Sequence, residues 1–130
     1  MFFLEAGINH FGDKKEIDKI LKFFFKSSFQ NITFMLQTDD FYNQYTKKGI
    51  NFKLERDYYN HLIKICKKNN KKIGLSVCDI KTFSEVKDLE FDFYKLLSIS
   101  INNFNLINIL NTKNKPIYIS TGFNSNDKKI

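Results

Sequence analysis

Residues 2–13 read Phe2-Phe3-Leu4-Glu5-Ala6-Gly7-Ile8-Asn9-His10-Phe11-Gly12-Asp13, an apolar run that carries one acid and then breaks into a polar turn flanked by glycines. The pattern is that of a strand delivering a carboxylate to a loop. In parallel α/β proteins ligands collect where the carboxyl ends of strands meet their loops, so Glu5, Asn9 and His10 occupy positions where chemistry is placed. Taken alone, the same residues also fit an acid solvated at a strand edge and a turn histidine. Asp13, with Glu16 three residues on, has the capping-box pattern that starts a helix.

Outward from this stretch, strand and helix signals alternate. Ile17, Ile20, Leu21 and Phe24 recur at the spacing of one helical face between Asp13 and Lys26. Asn31 to Thr38 reads as a strand ending in the polar pair Gln37-Thr38. The aromatic and polar segment from Asp39 to Lys53 lacks a clear period and is expected to be a long loop with a short turn of helix. Glu55 to Asn69 is helical by pattern, with Tyr58, Leu62, Ile65 and Cys66 on one side and His61 on the surface or in packing. Lys72 to Val77 gives a third strand, Ile80 to Leu89 a short helix, and Phe91 to Ser98 a fourth strand. Asn102 to Asn111 is a helix through Leu106, Ile107 and Leu110. Pro116 to Ser120 is a fifth strand, with proline acceptable at its first position. Thr121-Gly122 turns the chain, and Asn126 to Ile130 begins another helix at most.

This alternation predicts a parallel sheet of about five strands joined by about four crossover helices in a single domain over residues 1–130. A closed barrel of this class needs eight strands. The expected fold is therefore an incomplete (β/α)8 barrel whose first and fifth strands present open edges, an invitation to association with another chain or with itself.

Composition narrows the function classes. Hydrophobic residues make up 42% of the chain, with fifteen phenylalanines, so there is apolar surface to bury and disorder is not expected. The net charge of +7 suggests nucleic acid, but all 21 basic residues except Arg56 are lysine, and phosphate and base-edge recognition lean on arginine's planar fork. The lysines are spread along the chain and form no recognisable module, so no nucleic-acid partner is expected. Cys66 and Cys78 have neither metal-ligand spacing nor a disulfide-dense setting and read as reduced thiols of a cytoplasmic protein. The N-terminal run lacks a basic leader and meets Glu5 almost at once, and nothing approaches a membrane span.

Glu5-Ala6-Gly7-Ile8-Asn9-His10 resembles the Glu-x-Gly-Ile-Asn-His opening of the sialic acid (N-acetylneuraminate) synthases. Further blocks follow in that family's order: Gln37-Thr38, Tyr94-Lys95 with Ser98, Asn102-Asn103, and Lys115-Pro116-Ile117-Tyr118-Ile119-Ser120-Thr121-Gly122. The resemblance spans nearly the whole chain and implies a TIM-type barrel of which this is a truncated N-terminal part. It implies condensation of phosphoenolpyruvate with an N-acyl hexosamine-type sugar, with a divalent metal, Mn or Mg, polarising the sugar aldehyde. Carried over by position, Glu5, Asn9 and His10 lie near the sugar. Gln37, Thr38, Lys95, Ser98, Ser120, Thr121 and Gly122 line the ligand site. Lys95 supplies charge to a phosphate cradle; read without the resemblance, it is a lysine snorkelling from a strand end.

The sequence departs from the family at several of these places. Met35 stands where the family carries a lysine two residues before Gln-Thr, which removes one of two cationic anchors. Leu97-Ser98-Ile99-Ser100 replaces Gly-Ser-Gly-Glu, and Ser76-Val77-Cys78 replaces Ser-Thr-Pro. The two metal-binding histidines of the family lie beyond these residues, so no metal ligand is expected here. The expectation is a synthase-like chain inactive alone, either a non-catalytic binding module or a fragment needing a complementing chain.

Overall fold

The computed structural model describes residues 2–122. Its order is β1 (Leu4–Gly7), α1 (Lys14–Lys26), β2 (Asn31–Leu36), α2 (Asp39–Thr46), α3 (Arg56–Lys68), β3 (Lys72–Val77), α4 (Ile80–Ser84), β4 (Phe93–Leu96), a 3-10 turn (Ser98–Ser100), α5 (Phe104–Asn111) and β5 (Ile117–Ile119). All strands belong to one parallel sheet in the order β1-β2-β3-β4-β5. Among the described residues no helix is long and apolar enough to cross a membrane. The expected helix start after Asn126 lies outside the described residues.

One face of the sheet is the core. Ile32, Phe34, Leu36, Ile73, Leu75, Val77, Tyr94 and Leu96 alternate along β2, β3 and β4 and pack with Ile17, Leu21, Phe24, Leu62 and Leu106 from the helices. Each fully buried side chain of this kind contributes about 1.5–3 kcal/mol.

The other face is concave. Strand pairing lays its residues in two rows: Glu5, Thr33, Gly74 and Phe93, then Met35, Ser76, Lys95 and Tyr118. Phe3, just before β1, has its ring centroid 4.8 Å from that of Tyr118 in β5 and 5.0 Å from that of Phe93. In a flat sheet β1 and β5 would stand roughly 19 Å apart, four strand spacings. The contact therefore requires the sheet to curl through a large part of a cylinder.

Gly74 makes room for this packing. A Cβ there would fall 2.1 Å from the Phe93 ring, which lies over β3. Gly12 is needed for another reason, since its φ is +77° and a Cβ would meet the Asn51 carbonyl oxygen at 1.7 Å. Through it the turn after β1 closes against the segment following α2. There Phe52 packs on Phe11, Phe41 and Tyr45.

Three local expectations need correction. The 39–53 segment is not chiefly loop, because Thr38 caps α2, accepting from the Phe41 N–H at 3.2 Å. Its aromatic residues mask any helical period, since Phe41 and Tyr45 pack on Phe52 while Tyr42 is buried. On α3 the inward aromatic is Tyr59, not Tyr58, so the buried stripe is Tyr59, Leu62 and Cys66. Asp13 caps α1 by accepting from the Lys15 N–H, but the reciprocal half of the capping box is absent because Glu16 pairs with Lys19 at 2.6 Å.

Replacing Gly74 with alanine is expected to cost about 1–3 kcal/mol, as for other overpacked cores. A clear fall in the urea midpoint checks it; an unchanged midpoint contradicts the placement of the Phe93 ring.

Candidate functional site

The concave face holds one charged contact that spans the sheet. Lys95 Nζ on β4 lies 2.7 Å from Glu5 Oε2 on β1, across the two intervening strands. The Lys95 side chain is 23% exposed and that of Glu5 41%, so the pair sits at a mouth that solvent reaches. Beneath it, Thr33 and Ser76 are buried, at 1% and 0% exposure, and neither hydroxyl has a hydrogen-bond partner among the described residues.

The other expected site residues are distributed as follows. Asn9 joins Glu5 in a cleft of about 360 Å³ along β1, lined also by Leu4, Lys19, Ile20 and Phe23. Ser120 donates its backbone N–H to the Leu96 carbonyl at 3.0 Å, which sets it beside the end of β4. Ser98 opens the 3-10 turn, and Thr121 and Gly122 follow β5 in exposed positions. Gln37 and Thr38 are committed to local structure. Gln37 donates its N–H to Tyr42 Oη at 2.9 Å and its side-chain amide reaches the Met35 sulfur at 3.1 Å, while Thr38 is the α2 cap. His10 lies behind its turn, 1% exposed, with Nδ1 accepting from the Gly12 N–H at 2.9 Å.

Burial pushes His10 below its usual 6.5, against the opposing pull of a hydrogen bond to the Gly7 backbone. It is therefore held neutral in the fold. Burial likewise drives the Cys66 thiol up to about 12 and the Cys78 thiol up to about 11, so neither is a nucleophile at neutral pH. Both cysteines are free.

Several departures noted in the sequence acquire a place. Met35, where the resemblance expects a lysine, stands in the same row as Ser76 and Lys95. Ser100, where the resemblance expects an acid, donates its hydroxyl to the Cys78 carbonyl at 2.5 Å and ties the turn after β4 to the end of β3. Leu97 is buried and Ile99 is 66% exposed at the rim.

A profile of the NeuB family matches residues 18–129. The chain belongs to the NeuB family. The expected kinship with the sialic acid synthases is thus borne out, and solved structures give the architecture. The N-acetylneuraminic acid (sialic acid) synthetase of Leptospira borgpetersenii serovar Hardjo-bovis superposes with a TM-score of 0.77 at 18% identity, over 95% of this chain and 45% of that one. The spore coat polysaccharide biosynthesis protein SpsE of Bacillus subtilis gives 0.73 at 18% identity, over 92% of this chain and 35% of its own. This NeuB chain thus spans under half the length of either, and its sheet is a partial TIM-type barrel. No curated protein sequence matches it.

The metal used by NeuB enzymes finds no fitting donor set among the described residues, where no group of three or more His, Cys, Asp or Glu converges. His10 is buried and engaged through Nδ1, and His61 lies exposed on α3 beside Tyr58. No step is therefore assigned to a metal.

Thr33 belongs to none of the sequence blocks, and Ser76 was noted only as the unchanged first residue of Ser76-Val77-Cys78, yet both floor the mouth. Strand alternation in register with Glu5 and Lys95 is the signal that identifies them.

His10 supplies a pH prediction. Unfolded, it titrates near 6.5; folded, it titrates lower. Between the two the unfolded chain binds more protons, so stability is full above 6.5 and is lost as pH falls through the folded value. Urea midpoints between pH 7.5 and 5 should fall more steeply for the natural chain than for His10→Gln. Parallel profiles would contradict a buried neutral imidazole.

Proposed function

We propose that this NeuB-family chain carries the anion-binding part of a sialic acid synthase-type site, with Lys95 as the group that receives a phosphate or carboxylate oxygen of phosphoenolpyruvate. The observation that carries the reading is the Glu5–Lys95 contact: family-matched residues from β1 and β4 meet on the concave face, at a solvent-reached mouth. A lysine held there is a point charge at a solvent-reached mouth, which an oxyanion site requires. Glu5 and Asn9, which share the β1 cleft, take the sugar side.

The same reading limits what the chain does by itself. One cation is Met35, the usual acid after β4 is Ser100 with its hydroxyl committed, and no described residues gather to hold a metal. Each removes charge stabilisation that condensation onto an aldehyde requires. The described residues are accordingly a binding unit, and condensation with an N-acyl hexosamine needs βα units other than these beside β1 and β5.

Calorimetric or NMR titration with phosphoenolpyruvate tests this. Lys95→Ala should weaken binding by at least about tenfold, the loss of one charge-assisted hydrogen bond. Met35→Lys should tighten it by about fivefold, since it restores a cation to the row of Lys95. Equal binding by the natural chain and Lys95→Ala would overturn the assignment. Phosphate release by the isolated chain with both substrates and manganese would overturn its limitation to binding.

A further inference from the structure

Four buried side-chain oxygens are left unpaired among the described residues, those of Asn31, Thr33, Ser76 and Thr82; Asn31 is tied through its amide nitrogen to the Phe2 carbonyl and Thr82 lies on α4, which leaves Thr33 and Ser76 as the hydroxyls of the concave face. A buried hydroxyl without a partner leaves its desolvation uncompensated, and these two stand on adjacent strands of one face. Their positions are not scattered. Thr33 is the register partner of Glu5, Ser76 is the register partner of Lys95, and β2 and β3 are neighbours. The hydroxyls thus lie on the two strands that the Glu5–Lys95 pair spans.

We propose that Thr33 and Ser76 are oxyanion-binding residues that act with Lys95, and that Glu5 occupies the anion's place until the anion displaces it. The proposal rests on the reading of Lys95 as an anion site and adds to it both the donors and the internal competitor. A carboxylate at 2.7 Å from Nζ satisfies the lysine as a ligand carboxylate or phosphate would, but it comes from the mouth side and leaves the two hydroxyls beneath without an acceptor. An incoming oxyanion has several acceptor oxygens. It takes the Lys95 ammonium from Glu5 and accepts from Ser76 Oγ–H and Thr33 Oγ1–H together. Glu5 then turns along β1 into the cleft whose lining includes Lys19.

The signature of this arrangement is a pair of opposite effects. Removing an unpaired buried hydroxyl relieves a cost in the free chain, whereas removing a ligand donor weakens the complex. Ser76→Ala and the shape-conserving Thr33→Val should each leave the thermal midpoint unchanged or raise it by about 2–4 °C. Each should also weaken binding of inorganic phosphate by about fivefold, the value of one hydrogen bond. Glu5→Gln should tighten phosphate by about fivefold, because its amide no longer competes for the ammonium. Phosphoenolpyruvate run in parallel separates phosphate from carboxylate recognition. Should Ser76→Ala and Thr33→Val bind phosphate as the natural chain does while Lys95→Ala does not, this inference falls and the Lys95 reading stands. Should neither the natural chain nor Glu5→Gln bind either anion, both fall. A midpoint lowered by several degrees in both hydroxyl variants would show that the hydroxyls have partners within the fold, and would overturn the proposal.

Discussion

Phe3, Phe93 and Tyr118, from the start of β1, from β4 and from β5, meet as tilted and edge-on rings on the concave face, and the curvature they hold is what gives the protein a site at all. Aromatic pairs of this geometry add about 0.5–1.5 kcal/mol each beyond the area they bury. Here they act between the outermost strands of the sheet, so the energy goes into bending it. Without that bend, Lys95 and Glu5 stand three strand spacings apart, roughly 14 Å, and no mouth exists. The packing of Phe93 over the bare backbone of Gly74 is what lets the rings lie this low.

Most of the architecture was legible from periodicity. The continuous apolar runs of β2 and β3, the lysine-faced stripe of α1 and the regular alternation of element types left little choice but a parallel sheet with helices on one side. What was not legible shares a cause, which is that aromatic side chains serve two neighbours at once. Phe41 and Tyr45 of α2 pack on Phe52 beyond their own helix, so their spacing does not repeat every turn. On α3 two tyrosines stand side by side, and only tertiary packing selects Tyr59 for the interior.

The site divides in the same way. Strand ends named Glu5 and Lys95 as candidates, but that they would touch depends on curvature, which a one-dimensional pattern does not encode. His10, Gln37 and Thr38 were named by motif, and in the fold their polar atoms brace the turns after β1 and β2. Thr33 was inconspicuous as sequence because a hydroxyl in a strand is ordinary, and Ser76 stood out only as the retained serine of a changed block. Their burial without partners is visible only once the register is known. Met35 and Ser100 are the converse case: the sequence showed the change of residue, and the fold shows its consequence. An uncharged side chain stands in the row of Lys95, and a hydroxyl tied to a carbonyl stands near the turn after β4.

If this NeuB-family chain curls its five strands far enough to bring β1 and β5 into contact, the rings at the two ends of the sheet must be neighbours in solution. A nuclear Overhauser spectrum of the chain with selectively labelled phenylalanine and tyrosine reads that contact without any ligand. Ring-to-ring cross-peaks between Phe3 and Tyr118 are expected, since their centroids are 4.8 Å apart. Cross-peaks that link Phe93 to Tyr118 but never Phe3 to Tyr118 would describe a flatter sheet, and would contradict the mouth on which Glu5 and Lys95 meet.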